Sequence, residues 1–515
     1  MLEDYRTEPF TDFSQAPVRA AFETALTAVE KRFGEEVPLV IGGRRVKTGK
    51  LLDTTNPAER SQVLARHHLA SRVEAQKALD VALKAQPAWA RVPVRERATV
   101  LLRAARRLRE RKHEFSATMV FEIGKSWPEA DVETAEAIDF LEFYAREMLR
   151  WGGEIPTTPL RGEYPQTLYV PLGVGAVIPP WNFPLAICLG MAVAAVVTGN
   201  AVNLKPASDT PLIAWRAFEL MEEAGVPDGI LNFLPGPGAE VGDFLVEHKD
   251  TRFISFTGSK AVGIGINEKA AKVAPGQLWL KRVVLEMGGK DFIVVDEDAD
   301  FQDAVLQVVN SAFGFQGQKC SACSRAIVHT KLYKKFVDAV AAETEKRTMG
   351  NTRDHANYMG AVASQKQFKS VSEYIEVGKK EAKLVAGGQT DGKVGNFIRP
   401  TVFANVKASH RIFREEIFGP VLAITEAKDF ENALALANDS EYGLTGAYFG
   451  RDRYRIAEAK ERLFCGNLYI NRKCTGAMVG VHPFGGFNMS GTDSKAGGRD
   501  YLGLFLQAKS ISEKL

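Results

Sequence analysis

The sequence predicts an α/β protein built on parallel sheets with helical crossovers and divided into more than one domain. Three observations carry this. The chain has 515 residues, more than a single hydrophobic core organises. From residue 174 onward, short apolar runs (VGAVI at 174, AVNLK at 201, ILNFL at 230, FISFT at 253) alternate with helical patterns, as strand–helix–strand units do. The balance of 45% hydrophobic and 25% charged residues is that of an ordinary water-soluble globular chain.

Taken in order, the N-terminal MLEDYRTEPF is acidic and polar, so no secretory signal is visible. Residues 70 to 150 carry long helical periodicity. Within them RAARRLRERKH at 103–113 is basic, but Leu101, Leu102 and Leu108 occupy another face, and the run reads as a solvated helix surface. With a net charge of +3, neither nucleic-acid nor membrane attraction is implied. The segment 152–171, GGEIPTTPLRGEYPQTLYVP, is polar, β-prone and rich in proline and glycine, an excursion from the core. Leu185 to Thr198 is apolar, too short to span a bilayer, and reads as a buried helix between Pro184 and Gly199-Asn200. A second alternating unit begins after Glu286: the strand DFIVV precedes a helix with apolar residues at 301, 304, 305, 308, 309 and 312. Further units run to about residue 490. The five cysteines, at 188, 320, 323, 465 and 474, are odd in number and scattered. They form no disulfide framework and fit a reducing, cytoplasmic setting.

The most informative stretch is Phe313-Gly-Phe-Gln-Gly-Gln-Lys-Cys320-Ser-Ala-Cys-Ser-Arg325. Small polar neighbours keep Cys320 from apolar packing, and adjacent cationic or helix-terminal groups would hold it as the nucleophilic thiolate. Upstream, Leu285-Glu286-Met-Gly-Gly-Lys-Asp291 offers a carboxylate at a strand end, suited to general-base work. Pro180-Trp-Asn182-Phe-Pro184 follows a strand, and its two prolines stiffen the loop that aims the Asn182 amide. Such a donor suits a developing oxyanion or, more plainly, bonds its own loop. Phe256-Thr-Gly258-Ser259 follows a strand and opens a helix from Lys260 to Ala271, where free N–H groups suit a phosphate. Gly236-Pro-Gly238-Ala-Glu-Val-Gly242 repeats the arrangement, and either is equally a simple turn. Lys205 closes a strand and suits either a cofactor ribose or solvent. Cys320-x-x-Cys323 raises thiol redox chemistry or a metal site. With no second such pair and no histidine at ligand spacing, zinc is disfavoured, and Cys323 reads as a small packed residue. His482 lies in a glycine-rich loop and reads as structural.

The segments PWNFP, LKPAS, FTGS, LEMGGKD, GQKCSA, EEIFGP and PFGGFNMSG, in this order, resemble the aldehyde dehydrogenase superfamily over almost the whole chain. APGQLWLKR at 274, CTGAMVGVHPFGGF at 474 and SGTDSKAGGRDYL at 490 are similar to its L-glutamate γ-semialdehyde (1-pyrroline-5-carboxylate) dehydrogenase branch. The resemblance implies a modified Rossmann dinucleotide-binding domain at 1–151 and 172–286 and an α/β catalytic domain at 287–490. A small β oligomerisation element would combine 152–171 with 491–515, making at least a dimer. It implies Cys320 as nucleophile, Asn182 and the Cys320 N–H as oxyanion donors, and Glu286 as the base that activates water against a thioester. NAD would be held by Lys205 at the adenosine ribose, by Gly258 and Ser259 at the pyrophosphate, by Glu416 at the nicotinamide ribose and by Phe418 beside the nicotinamide. Ser321, Gly476 and Ala477 would anchor a substrate α-carboxylate, with consecutive N–H groups forming an anion nest. Phe183 and Phe484 would sandwich the aliphatic chain, and Glu136 would either receive the ammonium or be a solvated helix carboxylate.

Two departures bear on this. Ser208 stands where many NAD-preferring members carry glutamate, so no carboxylate repels a 2′-phosphate and NADP stays possible. Cys323 replaces a residue that is usually not a thiol, which opens a disulfide to Cys320. The implied reaction is oxidation of glutamate γ-semialdehyde to glutamate in proline catabolism, with transient contact with a proline oxidase possible. The alternatives are another ω-semialdehyde, acyl transfer to CoA (for which Glu286 would be wasted), and a thiol redox or metal-binding scaffold.

Overall fold

The structure, a computed structural model, describes residues 3–153 and 155–515. Met1, Leu2 and Glu154, which fall in the segments expected at 1–151 and 152–171, lie outside the described residues.

Two seven-stranded sheets carry the architecture. In the first, Leu231–Phe233, Ala201–Leu204, Val174–Ile178, Phe253–Thr257 and Arg282–Glu286 run parallel in that spatial order. Leu39–Ile41 and Arg44–Val46 extend the far edge antiparallel. Helices cover both faces, so these strands read as continuous apolar runs rather than alternating ones. The second sheet orders Thr401–Ala404, Val421–Ala427, Arg325–His329, Phe292–Val295, Thr445–Phe449 and Asn467–Ile470 in parallel, with Lys383–Ala386 antiparallel at one edge. Residues 287–291 are the whole link between the edge strand of the first sheet and an interior strand of the second. Glu286, last residue of its strand, therefore lies in the seam.

Two smaller pieces complete the fold. Glu35–Val37, Glu59–His68 and Leu51–Asn56 form a three-stranded sheet. Glu163–Pro171 pairs antiparallel with Leu506–Lys514, from Leu506 opposite Pro171 to Lys514 opposite Glu163. The excursion and the C-terminal tail thus meet as one ribbon.

The helical stretch resolves into Arg72–Arg91, Val94–Glu110, Lys112–Ile123 and Trp127–Trp151. On Val94–Glu110 the residues Leu101, Ala104, Ala105 and Leu108 are buried. Within the basic run Arg109 pairs with Glu8 and Glu142 and Arg107 with Glu223, so these charges are neutralised locally. Ala186–Val197 is buried on nearly every side. Among the described residues no helix is long and apolar enough to cross a membrane.

One buried ion pair ties the helical layer to the site. Lys125 is bonded to Glu133, and both side chains are fully buried. The second oxygen of Glu133 accepts from the N–H groups of Leu185 (2.8 Å) and Ala186 (3.1 Å), so it caps the start of the buried helix. The Lys125 ammonium also stands 4.0 Å from the Phe183 ring centre and 4.3 Å from that of Phe315, a cation–π contact with both. Removing the cation alone strands a buried carboxylate. Lys125→Met is expected to cost about 3–5 kcal/mol in urea unfolding, and adding Glu133→Gln, which removes the charge and keeps an acceptor for the Leu185 and Ala186 N–H groups, should recover part of that loss. An unaltered midpoint in Lys125→Met would show that the pair contributes nothing.

Candidate active site

A cavity of about 130 Å³ opens at the seam between the two sheets, with Cys320, Glu286, Phe183, Phe484, Gly476 and Ala477 among its lining. Cys320 reaches it from the turn after the helix Phe301–Phe313. In that turn Phe315 and Gln316 hold φ of 50° and 57°, a left-handed conformation that costs non-glycine residues about 1–3 kcal/mol. The surroundings hold it in place. The Gln316 amide donates to the carbonyls of Gly124 (3.0 Å) and Ala361 (2.9 Å), and Phe315 packs under Lys125. The next residue, Gly317, has φ of +65°, and a Cβ there would collide with the Gly419 backbone.

Asn182 meets this turn directly. Its amide donates to the Gln318 carbonyl at 3.0 Å, which orients the group and leaves a second N–H free. The Cys320 N–H has no acceptor among the described residues. Two donors are thus left on and against the Cys320 turn. The thiol itself departs from the sequence expectation of a cation-held thiolate. Lys319 is turned away onto Glu129, at 2.7 and 2.8 Å. Burial, reinforced by Asp291, Glu286, Glu416 and Glu136, pushes the Cys320 thiol well above its usual range.

Glu286 is buried, and desolvation pushes its carboxyl up to about 8 against the partial opposition of a Ser494 hydrogen bond. Ser494 donates to one oxygen, and the other has no partner among the described residues. Ser494 belongs to a segment quoted above for its resemblance, but nothing in a serine within a glycine-rich loop marked it as a site residue.

Ser321, Gly476, Ala477 and Glu136 line the same cavity. Gly476 has φ of +78°, and neither its N–H nor that of Ala477 has an acceptor among the described residues. Glu136 makes no hydrogen bond among them. Burial, aided by neighbouring Glu133, pushes it up to about 8. It faces the cavity rather than solvent. Phe183 and Phe484 add two aromatic rings to the lining. Sequence reasoning missed Tyr144 and Tyr501, which stack at 5.5 Å and 10° along the wall. The Tyr144 hydroxyl accepts from the Gly497 N–H at 2.8 Å. Tyr144 lies on Trp127–Trp151 and Tyr501 in the short helical turn Tyr501–Phe505, with no local pattern to mark either.

The residues expected to hold a dinucleotide lie outside this cavity, at the carboxyl ends of the first sheet and across the seam. Lys205 follows the strand Ala201–Leu204. Its buried ammonium donates to the Pro206 carbonyl at 3.1 Å, and burial lowers it to about 8. The Gly236–Gly242 segment packs on its stem, a Cβ at Gly242 falling 3.6 Å from Lys205 Cδ. Ser208 is exposed. Ser259 is the N-cap of Lys260–Ala271, yet its side chain makes no capping bond, and the Gly258 N–H donates to the Glu286 carbonyl at 3.0 Å. The phosphate-type loop and the candidate base are therefore joined through backbone. Glu416 accepts from the Gly289 N–H at 3.0 Å, and burial pushes it up to about 7. Phe418, at φ of 55°, sits edge-on to Trp181 with ring centres 5.3 Å apart.

Cys323 points the other way. It is buried in the core of the second sheet beside Cys474, with its Sγ 3.6 Å from the Arg325 carbonyl, while Cys320 faces the cavity. All five cysteines are free thiols.

Residues 45–511 match the model of the aldehyde dehydrogenase family. The chain is 55% identical over 513 residues, with all of both chains covered, to a 1-pyrroline-5-carboxylate dehydrogenase of Geobacillus sp. (strain WCH70). Its fold superposes with a TM-score of 0.98, at 47% identity and full coverage of both chains, on 1-pyrroline-5-carboxylate dehydrogenase from Thermus with bound NAD. The same TM-score of 0.98, at 41% identity, relates it to proline utilization A from Bdellovibrio bacteriovorus, covering 99% of this chain and 53% of that one. The chain belongs to the aldehyde dehydrogenase family.

Proposed function

We propose that this enzyme oxidises L-glutamate γ-semialdehyde, the open form of 1-pyrroline-5-carboxylate, to L-glutamate with NAD, the oxidative step that completes proline catabolism. One observation carries the reading. A single cavity is lined by a thiol and a buried carboxyl together with unbonded N–H groups and a second buried carboxyl, those of Cys320, Glu286, Gly476 with Ala477, and Glu136. These groups match an aldehyde and an α-amino acid group on the same small molecule.

Cys320 yields its proton to water and its sulfur adds to the aldehyde carbon, and the oxygen, gaining negative charge, takes the free Asn182 N–H and the Cys320 N–H. Loss of the substrate's hydride, which a bound NAD would accept, leaves a thioester on Cys320 that water cleaves. Glu286 accepts the water's proton, so that glutamate leaves and the thiol is restored. Ser321, Gly476 and Ala477 receive the substrate carboxylate and Glu136 its ammonium. Phe183 and Phe484 flank the methylene chain and exclude water.

The residues present fit a dinucleotide. Lys205 has one carbonyl partner and N–H capacity to spare, Ser259 leaves a helix N-terminus uncapped, and Glu416 accepts a single hydrogen bond. When bound, NAD supplies acceptance of a hydride from the substrate carbon. Lys205 would hold the adenosine ribose, Gly258 and Ser259 the pyrophosphate, Glu416 the nicotinamide ribose, and Phe418 would flank the nicotinamide. Ser208 brings no carboxylate against a 2′-phosphate, so NADP serves as a second, weaker substrate. Self-association at least to a dimer through the ribbon of 163–171 and 506–514, residence in the cytoplasm and transient contact with a proline-oxidising enzyme belong to the same proposal.

Steady-state assays with NAD and NADP test this. Glutamate γ-semialdehyde should exceed propanal in kcat/KM by about a hundredfold or more, and equal efficiency would sink the substrate assignment. Cys320→Ala should abolish turnover while Cys323→Ala keeps most of it. Glu286 is neutral below about 8, and only its ionised form accepts a proton. Hydrolysis should therefore rise with pH through that value, and Glu286→Gln should flatten the profile. A wild-type rate indifferent to pH from 6 to 9 would exclude Glu286 as the base.

A further inference from the structure

We propose that Arg472 is a positioning residue that sets the preference of this site for aldehydes carrying an α-carboxylate. The inference rests on the reading of the cavity given above.

Arg472 lies just past the strand Asn467–Ile470, outside the cavity lining. Its guanidinium stacks over the Tyr469 ring, 4.3 Å from the centre. One nitrogen donates to the carbonyls of both Thr475 (2.9 Å) and Gly476 (3.2 Å). The other faces the His482 ring nitrogen at 3.4 Å, and the opposite nitrogen of that ring accepts from the Met478 N–H at 3.3 Å. The loop from 475 to 478 is thus gripped from one side by a single cation and the histidine it faces.

Peptide geometry converts that grip into a ligand site. In a trans peptide the N–H points opposite to the C=O of the same unit. The units whose carbonyls Arg472 draws in are Thr475–Gly476 and Gly476–Ala477. Their N–H groups, those of Gly476 and Ala477, are therefore turned away from the guanidinium. Both residues line the cavity, and neither N–H has an acceptor among the described residues. The left-handed Gly476 lets successive N–H groups share one concave side. Ser321 is fastened to the same loop, since the Cys474 thiol donates to its carbonyl at 3.4 Å. A cation behind the peptide dipoles also favours a negative charge in front of them. Lysine cannot replace it fully, because a single ammonium on a flexible stem lacks the planar fork.

Arg472→Met and Arg472→Lys, each checked for folding by thermal melting, test this in the full-length enzyme. The readouts are kcat and KM for glutamate γ-semialdehyde and for pentanal, an aldehyde of equal length without the carboxylate, together with product inhibition by L-glutamate. In Arg472→Met the KM for the semialdehyde should rise about tenfold, with kcat changing far less. L-glutamate inhibition should weaken by a similar factor, and the preference over pentanal should fall accordingly. Arg472→Lys should lie between wild type and Arg472→Met, and it carries the test if the methionine variant does not fold. Parallel losses on both aldehydes, or unchanged L-glutamate inhibition, would overturn the proposal. Failure of the underlying substrate reading shows separately, as an absence of preference in the wild-type enzyme itself.

Discussion

Everything in the site hangs on the five residues that carry the chain from one sheet to the other. Met287 to Asp291 begins beside Glu286 and ends at the strand flanking the Cys320 turn. The passage admits no side chain at its centre. A Cβ on Gly288 would collide with the Glu416 carboxylate, and one on Gly289 would fall 2.6 Å from the Cys320 carbonyl. Asp291 then pins the far side. Its carbonyl accepts from the N–H groups of Ser324 (3.2 Å) and Arg325 (3.0 Å), and its carboxyl accepts from the Thr445 N–H at 2.6 Å. At the near side the Met287 N–H donates to the Ser490 carbonyl at 2.8 Å, docking the loop that brings Ser494 to Glu286. The Cys320 turn, Glu286 and Glu416 are held relative to one another through this stretch of backbone, which is what a reaction needing sub-ångström placement demands.

The electrostatics follow from the same enclosure. Burial pushes Glu286, Glu136 and Asp291 each up to about 8 and Glu416 up to about 7, and it lowers Lys290 to about 7. A dry seam disfavours the charged form of whatever lines it, acid or base. Neutral carboxyls can share this space where several anions could not. A cation entering beside Glu136 favours ionisation there, so binding and charge development are coupled through the cavity.

Much of this was legible in the sequence, and what was legible was local. PWNFP, FTGS and LEMGGKD each sit at the strand ends where their spacing puts them, and the helix expected from Lys260 to Ala271 runs over those residues. One cavity is also lined by Cys320, Ser321, Gly476 and Ala477, which three separate motifs supply. What escaped depends on partners distant in the chain. A lysine beside Cys320 reads as a cation for the thiolate, because nothing near it discloses that Glu129, 190 positions away, takes the charge. Ser494 reaches Glu286 across 208 positions. In the turn between Gly314 and Gly317 the left-handed backbone falls also on Phe315 and Gln316, residues that do not announce it, and tertiary contacts hold it. Lys125 and Glu133 look like an ordinary exposed pair on helical segments until the fold buries them.

The central claim is a division of labour, with Cys320 forming the bond to substrate and Glu286 needed only to release it. Rapid-mixing absorbance of NADH with Glu286→Gln, glutamate γ-semialdehyde and NAD tests it most directly. The account predicts a burst close to one NADH per active site followed by very slow turnover, as oxidation proceeds and thioester hydrolysis stalls. Absence of a burst, with the first turnover slowed as much as the later ones, would contradict it.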